Sequence, residues 1–515
     1  MRRKLLLFLF AIVPMGAAIV ALQSCAGQGG PTGGSSPGSV NSAFLALLPM
    51  AQVSATYIGS AKCITCHAAE ETEFKTTPHF ANNVGCENCH GPGSVHAASP
   101  GTQAIQQAPA TANILTWPNE NSPVVCAQCH GPIYNDWNNS IHAQTVTDPV
   151  STGSNPGRCI GCHSSLVRTQ ILEAGLDPSN LSQVSAAEMT NLVNYSTPPA
   201  PSAATASCVT CHDPMNSKGA AYVDWQGQDD MLRHLVTNTS STALAAIGVG
   251  TTPAQYQAVD QSCGECHNAR GGNPADTALQ TGTSRPPFHE GPEYNMLMGL
   301  QGVVTFTNAD GTYSVQPVVS NTTHASAPGQ CSHCHMGNYS HTFTVSYDTG
   351  CAPCHTATDA ASRATSVKND VTNSLYALES EMTAWSTAWS LQNSINTSAY
   401  PNGDPNLWDY TSNLGGYTPA DSISSANEAL VPIEVKRARY NYYYIINDRS
   451  MGVHNEPFIE TLLTVANNNM AYALSKVGLT PAAVSGSSLT TLQKLSVIQA
   501  DHTREQLMIR LSPSP

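Results

Sequence analysis

Charge is scarce in this chain: only 11% of its 515 residues are Asp, Glu, Lys or Arg. Basic residues are the scarcer kind, 21 against 35 acidic, which gives a formal charge of −14. Nucleic acid needs clustered Lys and Arg to displace its counterions, so that partner class is excluded. A cationic substrate or a basic protein partner remains open. Long apolar runs are also rare. After Leu5 to Leu22, no stretch is apolar enough for long enough to span a bilayer. Spare cysteine is missing too. Of the 17 cysteines, all but Cys25 fall inside one repeated pentapeptide, so no pair remains for a structural disulfide.

That pentapeptide is Cys-x-x-Cys-His. Its copies are Cys63, Cys66 and His67; Cys86, Cys89 and His90; Cys126, Cys129 and His130; Cys159, Cys162 and His163; Cys208, Cys211 and His212; Cys263, Cys266 and His267; Cys331, Cys334 and His335; Cys351, Cys354 and His355. At this composition chance supplies roughly 0.02 such pentapeptides, so the repeat is signal. Two thiols bond the vinyl groups of a porphyrin and the following His binds its iron, the attachment chemistry of haem c. A zinc knuckle needs two Cys pairs, or one pair and a His at suitable separation, and has no use for a His after every second Cys. The repeat therefore predicts eight covalently attached haem c groups, with the eight motif His as proximal ligands.

The second axial ligand decides what each iron can do. Of 18 His, those outside the motifs are His79, His96, His142, His234, His289, His324, His333, His341, His454 and His502. His79 and His142 each trail a motif by twelve residues. His96 follows Cys-His-Gly-Pro-Gly-Ser-Val, and His324 and His341 flank Cys331–His335. His289 lies in Arg-Pro-Pro-Phe-His-Glu-Gly-Pro, His234 in a helix-like Asp-Met-Leu-Arg-His-Leu-Val, and His454 at a helix start. His333 sits inside a motif, where its direction suits another iron poorly, and His502 lies on a polar stretch. Without those two, His79, His96, His142, His234, His289, His324, His341 and His454 are the distal candidates. Two imidazoles per iron leave a low-spin centre with no open position, suited to passing electrons. Of the 13 Met none stands in a telling position. Only fifteen residues separate His335 from Cys351, and so short a link holds neighbouring haems close.

Arg2, Arg3 and Lys4 followed by the apolar run read as an export signal over residues 1–24. Leu22-Gln23-Ser24-Cys25 resembles a bacterial lipobox, which implies acylation of Cys25 and a membrane held through lipid. Ala26 after the Cys resembles lipoproteins sent to the outer membrane, with a periplasmic or surface-exposed face. Residues 25–55 read as the lipidated Cys and a tether, Gly-, Ser- and Pro-rich over 26–41. Residues 56–355 form the octahaem-binding region, mostly loops and short helices. Within it, alternating runs flank Asn-Ala-Asp-Gly over 303–318, which predicts a small surface β-hairpin. Residues 356–515 read as a helical domain. Val367, Val371, Leu375, Leu378, Met382, Trp385 and Trp389 mark one face of a long helix. Further helices are expected over roughly 424–447, with Pro432 as a kink or the true start, after Asn455 with Pro457 in the first turn, and over about 488–511. Their apolar, aromatic face serves as core or haem packing, with a homo-oligomer seam as the alternative. The predicted class is mainly α: a loop-rich multihaem cytochrome c region wrapped on eight haems, a β-hairpin insert and a C-terminal long-helix bundle.

Tyr57-Ile-Gly-Ser-Ala-Lys-Cys-Ile-Thr-Cys-His, with Thr-Pro-His79 behind it, resembles the opening of cytochrome c554-like domains. Cys86-Glu-Asn-Cys-His-Gly-Pro-Gly-Ser-Val-His96 resembles a motif of decahaem electron conduits and octahaem cytochromes. Cys331-Ser-His-Cys-His-Met with Ser-His341-Thr-Phe and Cys351 resembles the last haem pair of octahaem cytochromes. Ala438-Arg-Tyr-Asn-Tyr-Tyr-Tyr-Ile-Ile-Asn-Asp-Arg-Ser-Met-Gly-Val-His454-Asn resembles the C-terminal helices of the superfamily of pentahaem nitrite reductase, hydroxylamine oxidoreductase and octahaem tetrathionate reductase. In that superfamily the His before Asn is a distal ligand, which the resemblance carries to His454. No Cys-x-x-Cys-Lys, the catalytic attachment common in nitrite reductases, is present. The tetrathionate reductase type keeps a normal motif with a distal Lys; here Lys218 follows Cys208–His212 and reads as solvated. The expected function is electron relay at the cell envelope, between periplasmic or outer-membrane cytochromes and an external acceptor such as metal oxide. A reductase of nitrite, hydroxylamine or tetrathionate with one open haem, and a polymerising haem wire, are the alternatives.

Overall fold

The computed structural model describes residues 55–100, 123–145, 162–165, 168–169, 205–217, 230–233, 263–264, 266–269, 272–281, 288, 291–319, 322–325, 327, 329–352, 354–394, 407–410 and 428–481. The expected signal, Cys25, the tether over 26–41 and the helix over 488–511 lie outside these residues. The fold is mainly helical with one small antiparallel hairpin. Among the described residues, no helix is long and apolar enough to cross a membrane.

Three long helices carry the main core. Helix α1, Ala357–Gln392, starts where Thr356 accepts a hydrogen bond from the Asp359 N–H. Val371, Leu375, Leu378, Met382, Trp385 and Trp389 recur on one face and are buried, as their spacing predicts. Helix α2, Ile433–Asp448, begins directly after Pro432, which caps it rather than kinking it. Helix α3, Glu456–Lys476, is capped by Asn455, whose side chain accepts from the Phe458 N–H, and Pro457 stands in its first turn.

Helix α2 is buried almost all round, although it carries Glu434, Lys436, Arg437 and Arg439. Burying those charges is tolerable only because each is paired. Arg439 forms a two-point ion pair with the fully buried Glu428, and Lys436 reaches the same carboxylate at 3.4 Å. Arg437 grips Asp276 at 2.5 and 2.8 Å. Around these lie Trp408, Tyr440, Tyr442, Tyr444, Phe458, Leu462 and Met470, all within 1% of full burial.

The hairpin comprises β1, Thr305–Thr307, and β2, Tyr313–Val315, in antiparallel register with Phe306 opposite Ser314. It is not merely a surface insert. Asn441 donates to the Val303 carbonyl at 2.9 Å and accepts from the Val303 N–H at 2.9 Å. Asn469 donates to the Thr305 carbonyl at 3.0 Å and accepts from the Thr307 N–H at 3.3 Å. Each amide presents a donor and an acceptor side by side, so it pairs with an extended backbone as a neighbouring strand would. The inner strand is thereby docked on α2 and α3, while Tyr313 and Val315 on the outer strand stay exposed.

Residues before α1 fold differently. Their helices are one or two turns long, from Ser60–Cys63 and Cys86–His90 to Gln330–His335. Polar ties take the place of a large apolar core. Buried Glu87, for example, accepts from the N–H groups of Ile58, Gly59 and Gly93 at 2.8–3.0 Å and joins two motif segments.

Candidate functional site

The motifs whose residues are described close a helical turn. The His N–H bonds the carbonyl of the first Cys in the motifs ending at His67, His130, His212, His267 and His355, at 2.9–3.0 Å. A turn of this kind sets residues three and four apart on one face, so the two sulfurs and the imidazole point to the same side. Spacing in the sequence thus becomes a three-point attachment in space.

The His rings meet in pairs. Centroid separations are 6.0 Å for His67 and His96, 6.1 Å for His79 and His130, and 6.1 Å for His142 and His267. They are 6.3 Å for His335 and His454, 6.4 Å for His212 and His341, and 6.4 Å for His324 and His355. Every pair joins one motif His to one His outside the motifs. An imidazole nitrogen bonds a metal at about 2.0 Å and the ring centre lies about 1.1 Å beyond it, so two rings on opposite sides of one iron sit about 6.2 Å apart. The six pairs fit that span, too wide for direct contact and right for an ion between them.

Hydrogen bonding selects which nitrogen is left over. Nδ1 bonds a backbone carbonyl at His163 (Thr145, 2.7 Å), His212 (Asp230, 2.5 Å), His324 (Val453, 3.1 Å), His335 (Phe343, 3.0 Å) and His341 (Tyr339, 2.9 Å). It faces a carboxylate at His67 (Glu70, 3.5 Å), His267 (Glu293, 3.5 Å), His355 (Asp359, 3.2 Å) and His454 (Asp448, 2.6 Å). Such partners fix tautomer and ring direction and leave Nε2 to bind iron. His333 does the reverse: its Nε2 bonds the Ala352 carbonyl at 2.9 Å.

Electrostatics divides the paired rings into two kinds. Burial pushes His142 down to about 3 and His212 down to about 4, so both are neutral, the form that offers a lone pair to a metal. At His267 burial also disfavours charge, but the Glu293 hydrogen bond and charge outweigh it and raise the group to about 9. At His454 burial again disfavours charge, and the charge and hydrogen bond of Asp448 raise the group above its ordinary value.

Thiols of different motifs also approach one another. The first cysteines of three motif pairs stand close enough to influence each other's ionisation: Cys63 and Cys86, Cys126 and Cys208, and Cys263 and Cys331. Phe343 adds a junction that the sequence reading did not single out, though it stands two residues after His341. Its ring packs on His142 at 4.3 Å and on His341 at 5.9 Å, while its carbonyl holds His335.

His234, His289, Cys159, Lys218 and His502 lie outside the described residues. The segment leading into His234 is not helical, against expectation. Leu232 forms an antiparallel bridge with His212, and Met231 has a φ of 53°. Pairing with the motif backbone overrides the local helical preference. Among the described residues, no three His, Cys, Asp or Glu side chains converge as a metal cage.

Residues 48–91 match the family model described as cytochrome c554 and c-prime. That match, together with the repeated motif, supports a multihaem c-type cytochrome. The matched segment of this cytochrome holds its first two motifs and His79. No curated protein is similar enough to match. Among solved structures, an outer cell wall cytochrome, OcwA, is similar at 15% identity and a TM-score of 0.40, over 75% of this chain and 70% of that one. Cytochrome c nitrite reductase from Desulfovibrio desulfuricans is similar at 16% identity and a TM-score of 0.35, over 67% of this cytochrome and 73% of that chain. Neither likeness assigns a residue or a reaction here.

Proposed function

We propose that this cytochrome carries eight haems and relays electrons at the cell envelope, to a metal oxide or another external acceptor. Haem c held between two imidazoles supplies one-electron exchange and offers no open position for a substrate. The observation that carries the reading is the set of six imidazole pairs at 6.0–6.4 Å. On this reading His67, His130, His212, His267, His335 and His355 are proximal ligands, and His96, His79, His341, His142, His454 and His324 are their respective distal partners. His90 and His163 then take the two remaining candidates, His234 and His289. The thiol contacts and the Phe343 junction support a connected row, in which each exchange crosses a short gap.

The N-terminal signal and Cys25 add a lipid anchor to the proposal, and the acidic surface suits basic redox partners. Electron paramagnetic resonance on the oxidised protein, made in a host competent in cytochrome maturation, tests the relay. Low-spin ferric signals alone are expected. A high-spin component near one iron in eight would overturn it in favour of a reductase of nitrogen or sulfur oxyanions.

A further inference from the structure

The carboxylates that face Nδ1 of paired His are unequal. Glu70 stands 3.5 Å from His67 with 57% of its side chain exposed, so solvent screens it. Asp359 is 44% exposed and divides its charge between His355 and Arg363, the latter at 2.8 Å. Glu293 lies at 3.5 Å from His267. Asp448 is different: its side chain is fully buried and its Oδ1 lies 2.6 Å from Nδ1 of His454.

The chain is built to keep it there. Asp448 ends α2 and His454 precedes the Asn455 cap of α3, so the turn between them sets both groups. Arg449, Met451 and Gly452 take φ values of 60°, 49° and 101° to close that turn. Ser450 donates its hydroxyl to Oδ2 of Asp448, and the same hydroxyl accepts from the His454 N–H at 3.2 Å. Asn455 ties the turn to the carbonyls of Met296 and Leu297 at 3.1–3.2 Å. Three non-helical residues and a reciprocal Ser bridge hold one carboxylate against one imidazole.

We propose that Asp448 is a positioning residue that gives the haem between His335 and His454 the lowest potential of the six imidazole-paired haems. This rests on the reading that those two His share one iron. A buried anion accepting the Nδ1–H makes the imidazole a stronger donor, and its charge acts in a medium of low dielectric. Both effects favour the ferric over the ferrous state. The rings of His212 and His341 have carbonyl acceptors instead, so electrons run downhill from the His335–His454 haem towards that pair.

Redox titration of the holoprotein, followed optically and by electron paramagnetic resonance, tests the assignment. His454→Ala is made first, and a new high-spin signal identifies the haem; no such signal would overturn the ligand reading itself. Asp448→Asn keeps an acceptor and removes the charge. It is expected to raise the lowest potential by at least about tenfold in the reduction equilibrium, which is 59 mV for one electron. Ser450→Ala removes a donor from the carboxylate and is expected to shift the same haem the opposite way. Asp359→Asn, whose charge is already shared and screened, is expected to move its haem by less than about threefold. An unmoved lowest potential in Asp448→Asn would overturn the proposal. So would shifts of the same sign in Asp448→Asn and Ser450→Ala, because that is the mark of loosened ligation. If Asp448→Asn turns high-spin, the sign of the Ser450→Ala shift decides.

Discussion

Two histidines in one short helix region show how much a single nitrogen decides. His335 closes a motif with Nδ1 on the Phe343 carbonyl, while His333, two residues earlier, spends Nε2 on the Ala352 carbonyl. Replacing His454, the ring facing His335, is expected to open one iron and produce one high-spin signal in eight. His333→Ala is expected to leave every iron low-spin and to cost about 1–3 kcal/mol in denaturant unfolding, the price of a lost buried hydrogen bond. A high-spin signal in His333→Ala would make that ring a ligand after all. Both members of each ring pair stand out in the sequence, one by its motif and the other by its surroundings. Their pairing does not, because His212 and His341, or His335 and His454, stand far apart along the chain and only the fold brings them together.

At the scale of the element, the long helices were legible because their apolar residues repeat every three or four positions and Asn455 with Pro457 marks one start; the sequence does not single out the cap at Thr356, and it leaves Pro432 open between kink and cap. The burial of α2 was not legible, because Lys436, Arg437 and Arg439 read as solvent-facing until Glu428 and Asp276 are seen beside them. Nor was the docking of the hairpin, which depends on two Asn side chains from distant helices. Asn469→Ala is expected to cost about 2–4 kcal/mol, since it strands the buried groups of Thr305 and Thr307, and guanidinium unfolding reads it directly. Helix α1 holds a second testable site. Burial raises Glu381 to about 7 from an ordinary 4.5, and its Oε2 has no hydrogen-bond partner. In the interval between those values the folded chain keeps a proton that the unfolded chain has released. Stability contributed by the neutral acid is therefore full below about pH 4.5 and lost as the pH rises through 7. Glu381→Gln is expected to gain on the order of 1 kcal/mol at pH 8, after discounting for partial exposure, and nothing at pH 4. Unfolding midpoints at the two pH values check it.

For the whole molecule, the fold divides its cohesion between two kinds of interior. Around α1, α2 and α3 the core is aromatic and aliphatic side chains with paired charges. Before α1 the described helices are one or two turns long, the motif turns among them present two sulfurs and an imidazole, and the interior there is completed by what those groups bind. Covalent chemistry therefore belongs to the stability of that half. In the mature protein all sixteen motif sulfurs are expected as thioethers. Alkylation of the denatured protein, with and without reductant, followed by peptide mass spectrometry, counts them. With every motif sulfur attached to porphyrin, no motif cysteine is alkylated in either condition. A motif cysteine that alkylates without reductant, or only after it, would mean that its motif holds its haem through one sulfur or none.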